Sequence, residues 1–224
     1  MTKGDRMKKD KIKIIYEDKF IIVVDKPAHL LTIATENEKE KTMFHKVISY
    51  EKSKNKNNKI FIVHRLDRDT SGLLIFAKSE RIKNILQKNW DNMVKTRGYI
   101  AVVEGRVEKE EDTIKSYLKE GKNLITYSTN SKDGKLAITK YRKLKTSKAY
   151  TLLDINILTG RKNQIRVHMK EMNHPIIGDK KYGAKTNPLK RLGLHANLLI
   201  ITHPVTKETM TFTSNPTREF TNMF

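Results

Sequence analysis

The chain has 224 residues, with 46 Lys plus Arg against 25 Asp plus Glu, a formal charge of +21, 37% hydrophobic residues and no cysteine. That length fits one large domain, and apolar runs such as Phe20–Val24 and Leu73–Ala77 are dense enough to build a core, which excludes disorder of the whole chain. Disulfide scaffolds and cysteine-based zinc sites are excluded, no stretch approaches the roughly 18 apolar residues of a membrane span, and Met1–Lys13 lacks the apolar centre of a signal peptide, so the expectation is a soluble, cytoplasmic protein.

In chain order, residues 1–11 read as a flexible basic tail and 12–224 as a single domain. Ile12–Tyr16 and Phe20–Val24 read as two short strands, the second stopped at Lys26-Pro27 because proline has no N–H for a ladder. Thr42 caps a predicted helix with Met43, Phe44, Val47 and Ile48 at helical spacing, and Lys52–Lys59 reads as an exposed loop. Phe61–Val63 and Leu73–Ala77 are apolar strands on either side of the polar stretch His64–Gly72, a placement typical of functional loops. Ser79 is a predicted N-cap for a helix with Ile82, Ile85, Leu86, Trp90 and Met93 on one face. Tyr99–Val103 is a strand, residues 104–130 a hairpin-like excursion, and Leu136–Leu144 with Tyr150–Leu158 a strand pair. Thr159-Gly160 breaks the chain before a helix with Ile165, Met169 and Met172 on its apolar side, together with His168. Leu198–Ile201 and Thr209–Thr213 flank a His203-Pro204 turn. Strands outnumber helices without a βαβ rhythm, so the pattern predicts an α+β domain around a mixed, largely antiparallel sheet flanked by helices.

The charge is patterned. Residues 161–191 hold nine basic positions against two acidic ones, whereas Glu104–Asp112 holds five acids. A surplus of this kind points to a polyanionic partner, nucleic acid first and an anionic membrane surface second, although a lysine-rich composition of solvated side chains explains part of it. There is no G-x-x-x-x-G-K-[ST] loop, no G-x-G-x-x-G turn, no H-E-x-x-H helix and no G-x-S-x-G elbow, and the histidines show no metal-ligand spacing, so neither a metal nor a cofactor is expected.

Two clusters carry the available chemistry. The first is His64-Arg65-Leu66-Asp67-Arg68-Asp69-Thr70-Ser71-Gly72; read blandly, it is a loop in which Asp67 or Asp69 caps a turn while Arg65 and Arg68 touch phosphates. The second is Gly160–Met169, in which Lys162, Arg166 and Lys170 lie four apart and would share one side of the helix, a basic stripe along a phosphate backbone with one arginine able to turn inward to a carboxylate.

His64-Arg65-Leu66-Asp67 followed by Thr70-Ser71-Gly72-Leu73 resembles the signature of the RluA-type pseudouridine synthases. Four more segments match in the same order: Asp25-Lys26-Pro27; Tyr99–Gly105; Gly160-Arg161 through Gln164-Ile165-Arg166-Val167-His168; and Leu194-His195-Ala196 with His203-Pro204-Val205-Thr206. The resemblance runs from about Ile12 to Phe220. It departs at Asn163, where the family often has histidine, and only about a dozen residues precede the first matching strand, so a catalytic domain without a separate N-terminal RNA-binding domain is expected.

The resemblance implies the pseudouridine synthase catalytic fold, with the catalytic loop and RNA cleft on one face. It implies isomerisation of uridine to pseudouridine in ribosomal or transfer RNA by a monomer that needs no metal and no membrane. By resemblance Asp67 is the carboxylate beside the sugar, either attacking C1′ or removing the C2′ proton. Arg166 is its counter-ion, since burial raises a carboxylate pKa and a neighbouring cation lowers it. Tyr99 stacks on the target base, and Arg65 enters the space the flipped base leaves. RNA contacts are expected at His64, Arg65, Arg68, Arg161, Lys162 and Lys170, while Thr70, Ser71 and Gly72 shape the loop. Two other readings compete: an inert RNA-binding or ribosome-assembly protein on the same fold, and a metal-dependent phosphodiesterase with Asp67 and Asp69 as paired ligands, which chelator sensitivity separates from an isomerase.

Overall fold

In the computed structural model, which describes residues 12–36, 38–130 and 133–224, the first two strands form an antiparallel hairpin, β1 (Lys13–Glu17) with β2 (Ile21–Lys26). The expected basic tail, 1–11, lies outside the described residues. Asp18 makes the turn, its Oδ1 accepting the N–H groups of Phe20 and Ile21 at 2.7 Å each. The chain divides into two compact units, one comprising the described residues up to Lys95 together with Ile200–Ser214, the other Thr96–Leu199 with Asn215–Phe224.

In the first unit, β2 pairs along its whole length with β4 (Ser71–Ala77), and β3 (Phe61–Ile62) pairs with Ala77 and Phe76 of the same strand. Every residue of β4 is buried, as are four consecutive residues of β2, Ile21–Val24. Successive strand side chains point to opposite faces, so unbroken burial means both faces are covered, which a run without polar alternation requires. Helix α1 (Met43–Lys54) starts where Thr42 Oγ1 accepts the His45 N–H at 3.0 Å, and α2 (Glu80–Lys88) where Ser79 does the same for Ile82. Two helix boundaries differ from the sequence reading. Lys52–Lys54 belong to the last turn of α1, where Lys54 pairs with Glu17 and Glu51. The helix expected through Met93 breaks at Asn89, whose side chain donates to the Ile85 carbonyl, and a short α3 (Trp90–Met93) follows.

In the second unit the strands lie in the order β5 (Val94–Glu104), β9 (Tyr150–Ile157), β8 (Lys135–Thr146), β6 (Glu111–Glu120) and β7 (Thr126–Ser128), each neighbouring pair antiparallel. The 104–130 excursion is therefore part of the sheet, with β6 joined to β8 over eight residues. Strand β10 (Leu194–Thr202) carries the chain from this unit into the first, where it pairs with β11 (Thr209–Thr213). Helix α4 (Gln164–Glu171) lays Ile165 and Met169 on Ala101, Val103, Tyr141, Leu153 and Ile155. Burial of each such side chain stabilises by about 1.5–3 kcal/mol. The α+β class and the largely antiparallel sheet are as the sequence predicts. No helix among the described residues is long and apolar enough to cross a membrane.

Candidate active site

The first cluster forms the loop between β3 and β4, and two buried polar side chains fix it on either side of Asp67. Thr32 accepts the Leu66 N–H at 3.2 Å and donates its hydroxyl to the Leu66 carbonyl at 2.8 Å. Lys26, with no exposed surface, donates from Nζ to the carbonyls of Arg68 (3.0 Å), Leu30 (2.7 Å) and Pro27 (3.0 Å). An ammonium in such a place is tolerable only because carbonyl dipoles replace its lost water. The Asp67 carbonyl accepts the Thr70 N–H at 3.2 Å, closing the turn. Asp67 is half-buried, with Leu66 and Thr70 buried on its two sides and Arg65 and Arg68 exposed.

The loop returns to the sheet through buried Thr70 and Ser71, then Gly72, which sits opposite Lys26 with φ +111°, a conformation side chains resist. His64 anchors the other end: its Nε2 accepts the Ile75 N–H at 3.2 Å, and its ring lies 5.1 Å from that of Trp90. A nitrogen that accepts a backbone N–H carries no proton, so the neutral ring is protonated at Nδ1. Asp69 lies 3.0 Å from His29 Nδ1. The sequence reading did not single out Thr32, and it quoted Lys26 only as part of a motif. The available signal for Lys26 is its phase in β2, alternating with Ile22 and Val24 toward one face.

In the second unit Tyr99 lies on β5 opposite Ile155, half-buried, in phase with the fully buried Ala101 and Val103 and packed against the same core cluster. The start of α4 is bolted to the sheet by Gln164, whose Oε1 accepts from Thr159 Oγ1 (2.8 Å) and the Arg161 N–H (3.0 Å). Its Nε2 donates to the Ile138 carbonyl (3.0 Å) and Thr139 Oγ1 (2.9 Å). Thr139 also meets His168 Nδ1 at 2.8 Å, and Ser116 meets Nε2 at 3.1 Å. Burial pushes the His168 pKa down to about 4, so it is a neutral core residue at physiological pH.

The basic stripe needs correction. Asn163, at φ +53°, caps α4, so Lys162 precedes the helix and pairs with Glu120. Arg166 is buried: its Nε and Nη2 donate to the two carboxylate oxygens of Asp179 at 2.7 Å each, and its guanidinium carbon lies 4.8 Å from the Tyr182 ring centroid. Lys170 and Arg161 are exposed, the latter donating through Nε to the Leu136 carbonyl at 2.9 Å. Spacing by four aligned residues that the cap and the buried carboxylate separate. Asp179 and Tyr182 were not foreseen; the sequence signal available was Gly178-Asp179 ahead of an aromatic. Among the described residues no three His, Cys, Asp or Glu side chains are grouped to hold a metal ion.

Residues 20–171, holding both the Asp67 loop and α4, match the family model for RNA pseudouridylate synthase. The chain belongs to the RNA pseudouridylate synthase family. Among curated relatives, it is 38% identical over 189 residues to ribosomal large subunit pseudouridine synthase D of Borreliella burgdorferi, covering 82% of this chain and 58% of that one. It is 33% identical over 223 residues to tRNA pseudouridine synthase C of Haemophilus influenzae, covering 91% and 92%. Named members of the pseudouridine synthase family such as these are isomerases. The chain spans about two thirds of the length of several other curated relatives that it matches. Its fold resembles that of human RNA Pseudouridylate Synthase Domain Containing 4, with a TM-score of 0.77 at 22% identity over 93% of this chain and 90% of that one.

Proposed function

We propose that this pseudouridylate synthase family member isomerises uridine to pseudouridine in ribosomal or transfer RNA, as a cytoplasmic monomer whose residues 12–224 act as one catalytic domain, with Asp67 as the reacting carboxylate. The observation that carries this reading is the way Lys26 and Thr32 fix the backbone immediately before and after Asp67. A reacting group must be held to a fraction of an ångström, and such anchoring from buried residues does that. The reaction breaks the N1–C1′ bond, turns the uracil and joins C5 to C1′, while the proton at C5 moves to N1, so no atom or electron is gained or lost. Attack on C1′ and removal of the C2′ proton both need Asp67 ionised beside the sugar.

Arg166 supplies the compensating positive charge in this reading, and Tyr99 the flat surface for a base that turns in its own plane, worth roughly 1–3 kcal/mol per stacked base. Flipping the uridine costs a few kcal/mol, and the exposed Arg65 braces the gap. Arg68, Arg161, Lys162 and Lys170, all exposed, are phosphate contacts, and His64, Thr70, Ser71 and Gly72 hold the loop. The names of the two relatives above support both RNA classes. The direct test is Asp67→Asn, purified and assayed in a single turnover for pseudouridine: no product is expected, and a wild-type rate refutes the assignment. Mapping pseudouridine in total RNA from a deletion strain identifies the target.

A further inference from the structure

Thr126, the first residue of β7, is 3% exposed, and its Oγ1 is buried with no hydrogen-bond partner among the described residues. Folded proteins pair nearly all such groups, so an unpaired one calls for a partner outside the chain, water or ligand. Thr126 lines a hollow of about 330 Å³, near the lower end of the range for ligand pockets, about 300–1,000 Å³. The hollow lies within the second unit, between the β6–β7 edge of the sheet and the turn into α4. Thr126 stands opposite Glu120 and Lys135 opposite Leu118, and residues paired across strands or two apart along one share a face. Leu118 packs with Val167 of α4, so that face is the helix side, and Gly160, Arg161 and Lys162 close the hollow from the turn before the helix.

Four basic residues line the hollow against two acidic ones. Both acids are already paired, Glu120 with Lys162 and Asp133 with Lys119. The exposed Lys135 has no partner among the described residues. The Arg161 side chain donates only through Nε, to the Leu136 carbonyl, which leaves both terminal nitrogens for a ligand. Two uncompensated cations and a buried hydroxyl thus line one concave place. That set matches a phosphate group, with a planar fork and a point charge for its oxygens and a hydroxyl that can rotate its proton toward them. Water alone would satisfy the hydroxyl but gives no reason for two cations beside it.

We propose that this hollow binds one phosphate of the RNA strand, with the Thr126 hydroxyl, the Arg161 guanidinium and the Lys135 ammonium as its donors. This rests on the reading above that the substrate is RNA, and it adds Thr126 and Lys135 to the residues that hold it. A phosphate contact fixes where the strand lies on this unit and carries no base preference of its own.

Thr126→Val separates a ligand site from a structural threonine. Valine keeps the branched shape that suits a strand and removes only the unpaired hydroxyl, so the melting temperature of the free protein should hold or rise. Affinity for a short fluorescein-labelled oligouridylate, read by anisotropy across a salt series, should nevertheless fall by about 5- to 20-fold. Lys135→Gln, at an exposed position that folding tolerates, should lower the log-log salt slope by about 0.7. Lys140→Gln makes the same charge change on the opposite face of β8 and should alter the slope by less. Inorganic phosphate, titrated in NMR spectra, should shift the backbone amides of Thr126 and Gly160 in wild type and bind more weakly to Thr126→Val. A lower melting temperature for Thr126→Val reveals a structural partner for the hydroxyl and overturns the site. Equal slope changes at Lys135 and Lys140 reduce the effect to general charge and overturn it too. Phosphate binding at these amides with RNA affinity unchanged in Thr126→Val assigns the hollow to a free anion and overturns the RNA assignment. RNA bound equally by wild type and both pocket variants overturns this inference alone, whereas a wild type that binds no RNA overturns the reading of the substrate on which it rests.

Discussion

Replacing Lys26 by methionine tests whether the loop that carries Asp67 is held from beneath. Methionine keeps most of the length and volume of the lysine stem but removes the donor to three main-chain carbonyls, at 3.0, 2.7 and 3.0 Å. Hydrogen bonds from a charged donor stabilise by about 1.5–3 kcal/mol each, a gross loss of about 4.5–9 kcal/mol. Removing a buried ammonium returns several kcal/mol of desolvation, so the expected net destabilisation is about 2–4 kcal/mol. For a chain of this length that lowers Tm by about 5–15 °C. Because one acceptor is the carbonyl next to Asp67, turnover below the new Tm should fall by more than tenfold, on the order expected for a displacement of about 1 Å. Thermal melting by circular dichroism and single-turnover pseudouridine assays on the same preparation provide both readings. A variant with wild-type Tm and wild-type turnover refutes the anchoring argument; one that loses stability but keeps turnover confines Lys26 to a structural task.

Thr32→Val, nearly isosteric, removes both bonds to Leu66 and should lower stability by about 1–3 kcal/mol, read from urea unfolding, with a smaller loss of turnover than Lys26→Met. His168 gives the protein an acid weakness. Its folded pKa, about 4, lies below the ordinary histidine value of 6.5, so the unfolded chain binds the extra proton and the associated stability is full above pH 6.5 and lost as pH falls toward 4. By pH 5 that loss should reach about 2 kcal/mol, and His168→Gln should flatten the dependence in this window; an equally steep curve in the variant refutes it. The basic surface predicts RNA affinity that falls with salt at a log-log slope of about −0.7 per neutralised phosphate, and Lys170→Ala should reduce the slope by about one such step. A salt-independent affinity would remove phosphate contacts from the account.

Local signals determined much of this protein before any tertiary structure. Thr42 and Ser79 cap helices, each hydroxyl standing just ahead of an apolar periodicity and accepting the N–H three residues on, Pro27 ends β2, and alternation marks β8 and β9. The order of the motifs around Asp67 and Arg166 pointed to the family because those residues are contiguous in the chain. The tertiary structure decided which polar residues go inside. Nothing near Lys26 in the chain announces that carbonyls at 27, 30 and 68 surround its ammonium, and nothing near Thr32 announces Leu66, 34 residues later. Arg166, aligned by spacing with exposed lysines, is buried because Asp179 stands 13 residues on with both oxygens toward it. Capping and periodicity act within about one turn and are written in neighbouring residues. Charge burial depends on partners that only folding brings near, and here those partners position the groups proposed to do the chemistry.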